Sequence, residues 1–136
     1  MAYFKFARCI MEGKPIDLYN GGDLKRDFTY VDDVVTAIER VADQPPIVAG
    51  SPPSRIYNVG NNATEPLDHL VAALEACLGK KADKRLLPMQ PGDVFVTEAD
   101  ISSLERDFAW KPSTPLEEGI ARFARWFQRY FEYPAR

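Results

Sequence analysis

Apolar residues recur along this chain at two periods, and the switching between them sets the predicted order of elements. Tyr3, Phe6, Ala7 and Ile10 fall at i, i+3, i+4 and i+7, which predicts a helix over residues 3–12. Gly13 suits a left-handed cap, and Pro15 forbids continuation. Ile16-Asp17-Leu18-Tyr19 alternates apolar and polar side chains, the pattern of a short strand. Asn20-Gly21-Gly22-Asp23 is turn chemistry, because Asn and Gly accept positive φ. A second extended stretch is predicted over Arg26–Tyr30. Asp32 or Asp33 is then placed to cap a helix whose apolar face is Val34, Ile38 and Val41 with Val35 and Ala42. Gln44-Pro45-Pro46 ends that helix. Residues 44–54 carry four prolines and one glycine and read as a loop within one domain, since neither flank makes a comfortable core alone.

Beyond the loop, Arg55–Gly60 reads as a strand ending in a Gly60-Asn61-Asn62 turn. Thr64 is the expected N-cap of a helix with Pro66 in its first turn, lined by Leu67, Leu70, Val71, Leu74, Cys77 and Leu78 and closed by Gly79. Lys84–Met89 is extended, Pro91-Gly92-Asp93 is a turn, and Asp100 caps a short helix through Phe108. Thr114-Pro115-Leu116-Glu117 combines a capping box with proline at the first helical position. Leu116, Ile120, Phe123, Ala124, Phe127 and Phe131 then run at helical spacing. The Phe123, Phe127 and Phe131 stripe is expected in the core, with Trp126 on another azimuth. Short strands alternating with about five helices predict an α/β or α+β-like chain. The strands are too few and too short for a complete doubly wound sheet.

Composition narrows the function. The 136 residues are 46% hydrophobic and 27% charged, ordinary globular values that exclude wholesale disorder. A net charge of −3 and a pI near 5.2 argue against nucleic-acid binding, and the Lys80–Arg85 run reads as a solvated turn. No apolar run is long enough to span a membrane, and no export signal is evident, so a cytoplasmic location is expected. The Asn62-Ala63-Thr64 sequon is discounted on the same ground. Cys9 and Cys77 lie on helical faces as small hydrophobes, and the single His69 builds neither a metal cluster nor a triad. Asp32-Asp33 has no third ligand nearby and is a cap, not a metal pair. Three features remain as a ligand surface. Tyr19 beside the Gly-rich turn is able to stack a base. Arg26 is the residue type that meets phosphate bidentately. Gln90 and Asp93 flank a Pro-Gly turn and can hydrogen-bond sugar hydroxyls. Each has a plain alternative: strand packing for Tyr19, an ion pair to Asp23 or Asp27 for Arg26, loop and turn roles for Gln90 and Asp93.

The order of these pieces carries a resemblance. The run Ile16–Asp33 (IDLYNGGDLKRDFTYVDD), then Tyr57–Asn61 (YNVGN), Leu87–Val94 (LPMQPGDV), Ala99-Asp100, Trp110-Lys111-Pro112 and Glu117–Ile120 (EEGI) resemble, in that order, the C-terminal part of extended short-chain dehydrogenases/reductases that act on nucleotide sugars. The RDFTYVDD and MQPGDV forms are most similar to UDP-glucuronate 4-epimerases. The resemblance covers essentially the whole chain. It implies a parent enzyme in which NAD takes a hydride from C4 of the sugar while a tyrosine removes the hydroxyl proton. The 4-keto sugar then turns about its diphosphate, and the hydride returns to the other face.

For this chain the resemblance implies a UDP-sugar-binding lobe. Tyr19 would contact uracil, Arg26 the diphosphate or adjacent ribose oxygens, and Asp93 the ribose hydroxyls. Gln90 stands where many relatives have arginine, so hydrogen bonding would replace anion binding there. Such enzymes also carry a Gly-x-Gly-x-x-Gly loop and a catalytic Tyr-x-x-x-Lys, and neither pattern occurs in these 136 residues. The expectation is therefore a single C-terminal substrate-binding lobe over residues 1–136 of a longer enzyme. It would be inactive alone, with no catalytic, NAD-binding or metal residue of its own. The Val34/Ile38/Val41 face, built to meet a missing sheet, is expected to drive self-association. A non-catalytic assembly module, or the same lobe from a UDP-glucuronate decarboxylase or a nucleotide-sugar 4,6-dehydratase, are the alternatives.

Overall fold

The computed structural model describes residues 1–45 and 54–133. The predicted 44–54 loop falls almost wholly outside them. Among the described residues there are five α-helices and four three-residue strands: α1 (Ala2–Glu12), β1 (Ile16–Leu18), β2 (Lys25–Asp27), α2 (Val31–Asp43), β3 (Thr64–Pro66), α3 (Leu67–Leu78), β4 (Lys84–Leu86), α4 (Ser102–Phe108) and α5 (Leu116–Tyr130). The chain divides into two compact units. One comprises Met1–Arg26, Glu65–Val96 and Pro115–Arg136; the other comprises Asp27–Thr64 and Thr97–Thr114.

In the first unit α1 and α5 both pack on α3. Gly13 at φ 69° and Gly79 at φ 65° end α1 and α3 in the left-handed conformation, as the glycine positions predict. Ala7, Ile10, Leu70, Val71, Leu74 and Phe127 are fully buried and form the centre of the unit. Phe123 and Phe131 are only half-buried, because the aromatic stripe is wider than the face α3 covers. β1 and β4 pair in parallel with Asp17 opposite Arg85. Ile16 and Leu18 point inward, while Asp17 takes the Arg85 guanidinium at 2.6 Å. Arg85 lies in β4, within the stretch predicted as extended, and its side chain stays 60% exposed despite the pairing.

Four helix starts differ from expectation. α2 begins at Val31 with Tyr30 as its N-cap residue, so Asp32 and Asp33 lie inside its first turn and not at the cap. The Asp33 carboxylate accepts the Thr114 N–H at 3.0 Å, so it serves a distant segment of its own unit and not its own helix. Thr64–Pro66 is extended, and α3 starts only at Leu67, whose N–H is taken by the Leu24 carbonyl. Pro115 is the N-cap of α5 instead of its first helical residue, and no side chain caps it. Asp100 accepts the Ser102 N–H at 2.9 Å, but it stands one residue before Ile101, which is the N-cap residue of α4. In the second unit Ala37, Leu104 and Phe108 form a small core, with Tyr57, Val59 and Trp110 packed on it. The predicted strand over Arg55–Gly60 is not formed. Its period-2 burial is real, but among the described residues it finds no ladder partner. Asp107 anchors it instead, accepting the Tyr57 hydroxyl at 2.8 Å and pairing with Arg55 at 2.9 Å.

The one histidine joins two helix starts in the first unit. His69 Nδ1 lies 2.7 Å from Glu65 Oε2 and its Nε2 lies 2.7 Å from Glu117 Oε1. A neutral imidazole has one N–H, so it cannot donate to both carboxylates; the arrangement calls for the imidazolium. The Glu65 hydrogen bond raises the pKa above the usual imidazole value; burial opposes it, and the hydrogen bond and charge of Glu117 add to the rise. A raised histidine pKa stabilises the fold fully below the unfolded value and ceases to as pH rises through the folded value. Urea midpoints of the wild-type chain are therefore expected to fall from pH 6 to pH 9, and those of His69→Gln to fall less. Parallel profiles would contradict the double acceptor role.

Candidate ligand-binding site

Tyr19, Arg26, Gln90 and Asp93 all belong to the first unit. Tyr19 does not extend β1. It opens a 3-10 turn over Tyr19–Gly22, in which Asn20 and Gly21 take φ 52° and 63°. That is the positive-φ geometry for which Asn-Gly is suited. The turn is stitched to the end of β4 by main chain. Leu87 N–H donates to the Leu18 carbonyl and Gly21 N–H to the Leu87 carbonyl, both at 3.0 Å. Tyr19 is half-buried.

Leu87 begins the loop that carries the other two candidates. Gln90 is exposed, and its carbonyl accepts the Asp93 N–H at 3.1 Å, closing a turn through Gly92 at φ 83°. Asp93 Oδ1 accepts the Val94 N–H at 2.9 Å and the Arg26 Nη2 at 2.7 Å. The alternative pairing of Arg26 with Asp23 or Asp27 is not what forms; its carboxylate partner lies 67 residues away in the chain. Arg26 Nη1 also donates to the Lys25 carbonyl at 2.9 Å and to the Phe95 carbonyl at 3.3 Å. The two side chains remain 23% and 28% exposed, so the pair faces solvent on one side.

This arrangement is chemically specific. A guanidinium has five N–H donors. Three of those on Arg26 meet protein acceptors, which hold the group in one orientation. Among the described residues Nε–H and one Nη2–H meet no protein acceptor, which leaves them for an anion. On Asp93, Oδ1 carries both protein bonds, leaving Oδ2 to accept from a hydroxyl. The structure thus brings Arg26 and Asp93 into direct contact and sets Gln90 at the mouth of the same loop. Tyr19 is tied to the loop's other end through backbone. Among the described residues, no group of three or more His, Cys, Asp or Glu side chains is placed to hold a metal. No helix there is long and apolar enough to cross a membrane.

Comparison with known proteins agrees with the resemblance. The NAD dependent epimerase/dehydratase family matches residues 1–60. Protein CapI of Staphylococcus aureus is 40% identical over 144 residues, a match that spans 97% of this chain and 43% of CapI. UDP-glucuronate 4-epimerase 1 of Arabidopsis thaliana is 42% identical over 144 residues, spanning 98% of this chain and 34% of that protein. The crystal structure of UDP-glucuronic acid 4-epimerase from Bacillus cereus, in complex with UDP-glucuronic acid and NAD, superposes with a TM-score of 0.83 at 25% identity. It covers 96% of this chain, which covers 40% of it. The chain thus spans roughly two-fifths or less of the length of these relatives. In sequence and in fold the chain is similar to the C-terminal portion of members of the NAD dependent epimerase/dehydratase family.

Proposed function

We infer that this chain is the UDP-sugar-gripping portion of an NAD-dependent nucleotide-sugar epimerase acting on UDP-glucuronate, and that it does not turn over by itself. The observation that carries this is the Arg26–Asp93 pair, fixed by main chain and carboxylate yet retaining two N–H donors and one carboxylate oxygen. That set suits a diphosphate beside a ribose. Tyr19 supplies the ring for the uracil and Gln90 a hydrogen bond at the sugar end. Holding the nucleotide still is the contribution such a lobe makes to a reaction whose bond changes occur elsewhere.

NAD does not fit the residues present. The Gly-bearing turn at Asn20–Gly22 leads into β2 and not into a helix N-terminus, where a pyrophosphate would be met. Neither Gly-x-Gly-x-x-Gly nor Tyr-x-x-x-Lys occurs in the sequence. Calorimetric titration tests the reading. UDP is expected to bind the chain saturably and weakly, while UDP-glucuronate incubated with the chain and NAD yields no epimer. Absence of UDP binding overturns the first part, and epimer formation the second.

A second reading, self-association, is favoured by α2. Of the expected Val34/Ile38/Val41 face only Ile38 is exposed, because Val34 is half-buried and Val41 packs on the Ala37, Leu104 and Phe108 core; the exposed apolar stripe is instead Val31, Val35 and Ile38, at 61%, 46% and 62%. An apolar stripe of this kind left in water favours burial against another surface. Sedimentation over a wide concentration range is expected to show association that Ile38→Glu suppresses; one monomeric species throughout would dismiss it.

A further inference from the structure

We propose that Arg85 reads the outer edge of the base held over Tyr19 and so makes the lobe select uracil over cytosine, an inference that rests on the nucleotide-gripping reading above. Strand alternation brings the two side chains together. β1 buries Ile16 and Leu18, which turns Asp17 to the opposite face. Leu18 keeps an extended backbone, at φ −107° and ψ 98°, so Tyr19 emerges on the same face as Asp17. β4 runs parallel, with Asp17 opposite Arg85 and Leu18 opposite Leu86. Arg85 is therefore the diagonal neighbour of Tyr19 across the strand pair, about 8 Å away between Cα positions by ordinary strand spacings and within reach of an arginine side chain. All of these residues belong to the first unit.

Asp17 aims the guanidinium. Arg85 Nε donates to Asp17 Oδ1 at 2.6 Å. Their side chains are 60% and 33% exposed, and an exposed ion pair adds little to stability; what this one does is fix the direction of the fork. Among the described residues none of the Arg85 Nη hydrogens meets a protein acceptor. The order of groups along β4 and its loop then matches the order of parts along a nucleotide. Arg26 and Asp93, at the far end of the loop that starts at Leu87, take the diphosphate and ribose. Tyr19, tied to Leu87 by main chain, takes the ring. Arg85 stands two residues before Leu87, on the side away from the ribose. The pyrimidine edge remote from the ribose carries position 4, where uracil has the acceptor O4 and cytosine an amine donor. Arginine has donors only. It pairs with uracil there, and it meets cytosine donor to donor, with both groups left unpaired.

The test is calorimetric titration of UDP and CDP, which share ribose and diphosphate, into wild type, Arg85→Met and Arg85→Lys. Wild type is expected to bind UDP about tenfold more tightly than CDP. Arg85→Met keeps an aliphatic stem and removes every donor. Its preference should collapse toward one through lost UDP affinity, with CDP little changed. Arg85→Lys, which retains donors without the fork, should keep part of the preference. An equal loss for both nucleotides would show a merely structural Arg85 and overturn the proposal. A ligand-side arm needs no variant: 4-thio-UDP, whose sulfur is a weak acceptor, is expected to bind wild type nearly as weakly as CDP, and binding equal to UDP would contradict the O4 contact. Wild type that binds UDP and CDP alike overturns this inference and leaves the nucleotide grip standing. Wild type that binds neither overturns both.

Discussion

Replacing Arg26 by alanine is expected to weaken UDP binding by ~10–100-fold while leaving the fold intact. The substitution removes the two donors reserved for a diphosphate and leaves Asp93 without its 2.7 Å partner beside an incoming anion. Loss of a hydrogen bond to a charged group costs about 1.5–3 kcal/mol, and each 1.4 kcal/mol is a factor of about ten. Arg26→Lys should recover only part of the loss. A lysine retains charge but not the planar fork that satisfies carbonyl, carboxylate and ligand together. Wild-type affinity should also fall with added salt, because the pair is partly exposed and screened. Calorimetry with the three proteins reads all of this. Equal affinities in wild type and Arg26→Ala would remove Arg26 from the site.

Phe127→Ala is expected to cost about 3–5 kcal/mol, a large fraction of the 5–15 kcal/mol typical of a whole domain. Phe127 is fully buried, and its ring meets Phe4 edge-on at 5.5 Å, Phe131 at 4.9 Å and Tyr133 in a stack at 5.7 Å. Alanine leaves a cavity that α3 and α5 cannot close without moving their backbones. The neighbouring Trp126 is a control on the same helix. It is half exposed and stacks on Tyr130 at 5.2 Å, so Trp126→Ala should cost well under half as much. Denaturant unfolding of the two variants separates them. Equal losses would mean that the first unit is not organised around Phe127.

The elements that the sequence announced are those with local causes. α1 and α3 follow from helical spacing closed by Gly13 and Gly79, and the 19–23 turn from Asn-Gly. Arg26 and Asp93 were singled out by residue chemistry and by resemblance, but their pairing was not legible, because the partner lies 67 residues away. The same distance hid the role of Asp33, whose carboxylate looks like a local cap and instead serves Thr114. It hid Asp27 as well: nothing near RDFT signals that three N–H groups from two remote segments will converge there. The Arg55–Gly60 run shows the opposite error. Its alternation correctly reports which side chains turn inward, yet a strand also needs a neighbour, and no local pattern supplies one.

The most direct measurement maps UDP onto the chain by amide chemical shifts. Progressive shifts are expected at residues 19–22, at Arg26 and from Gln90 to Phe95, with α4 and the Tyr57 segment silent. Shifts confined to other surfaces, or none at saturating UDP, would contradict a nucleotide grip built on Arg26 and Asp93.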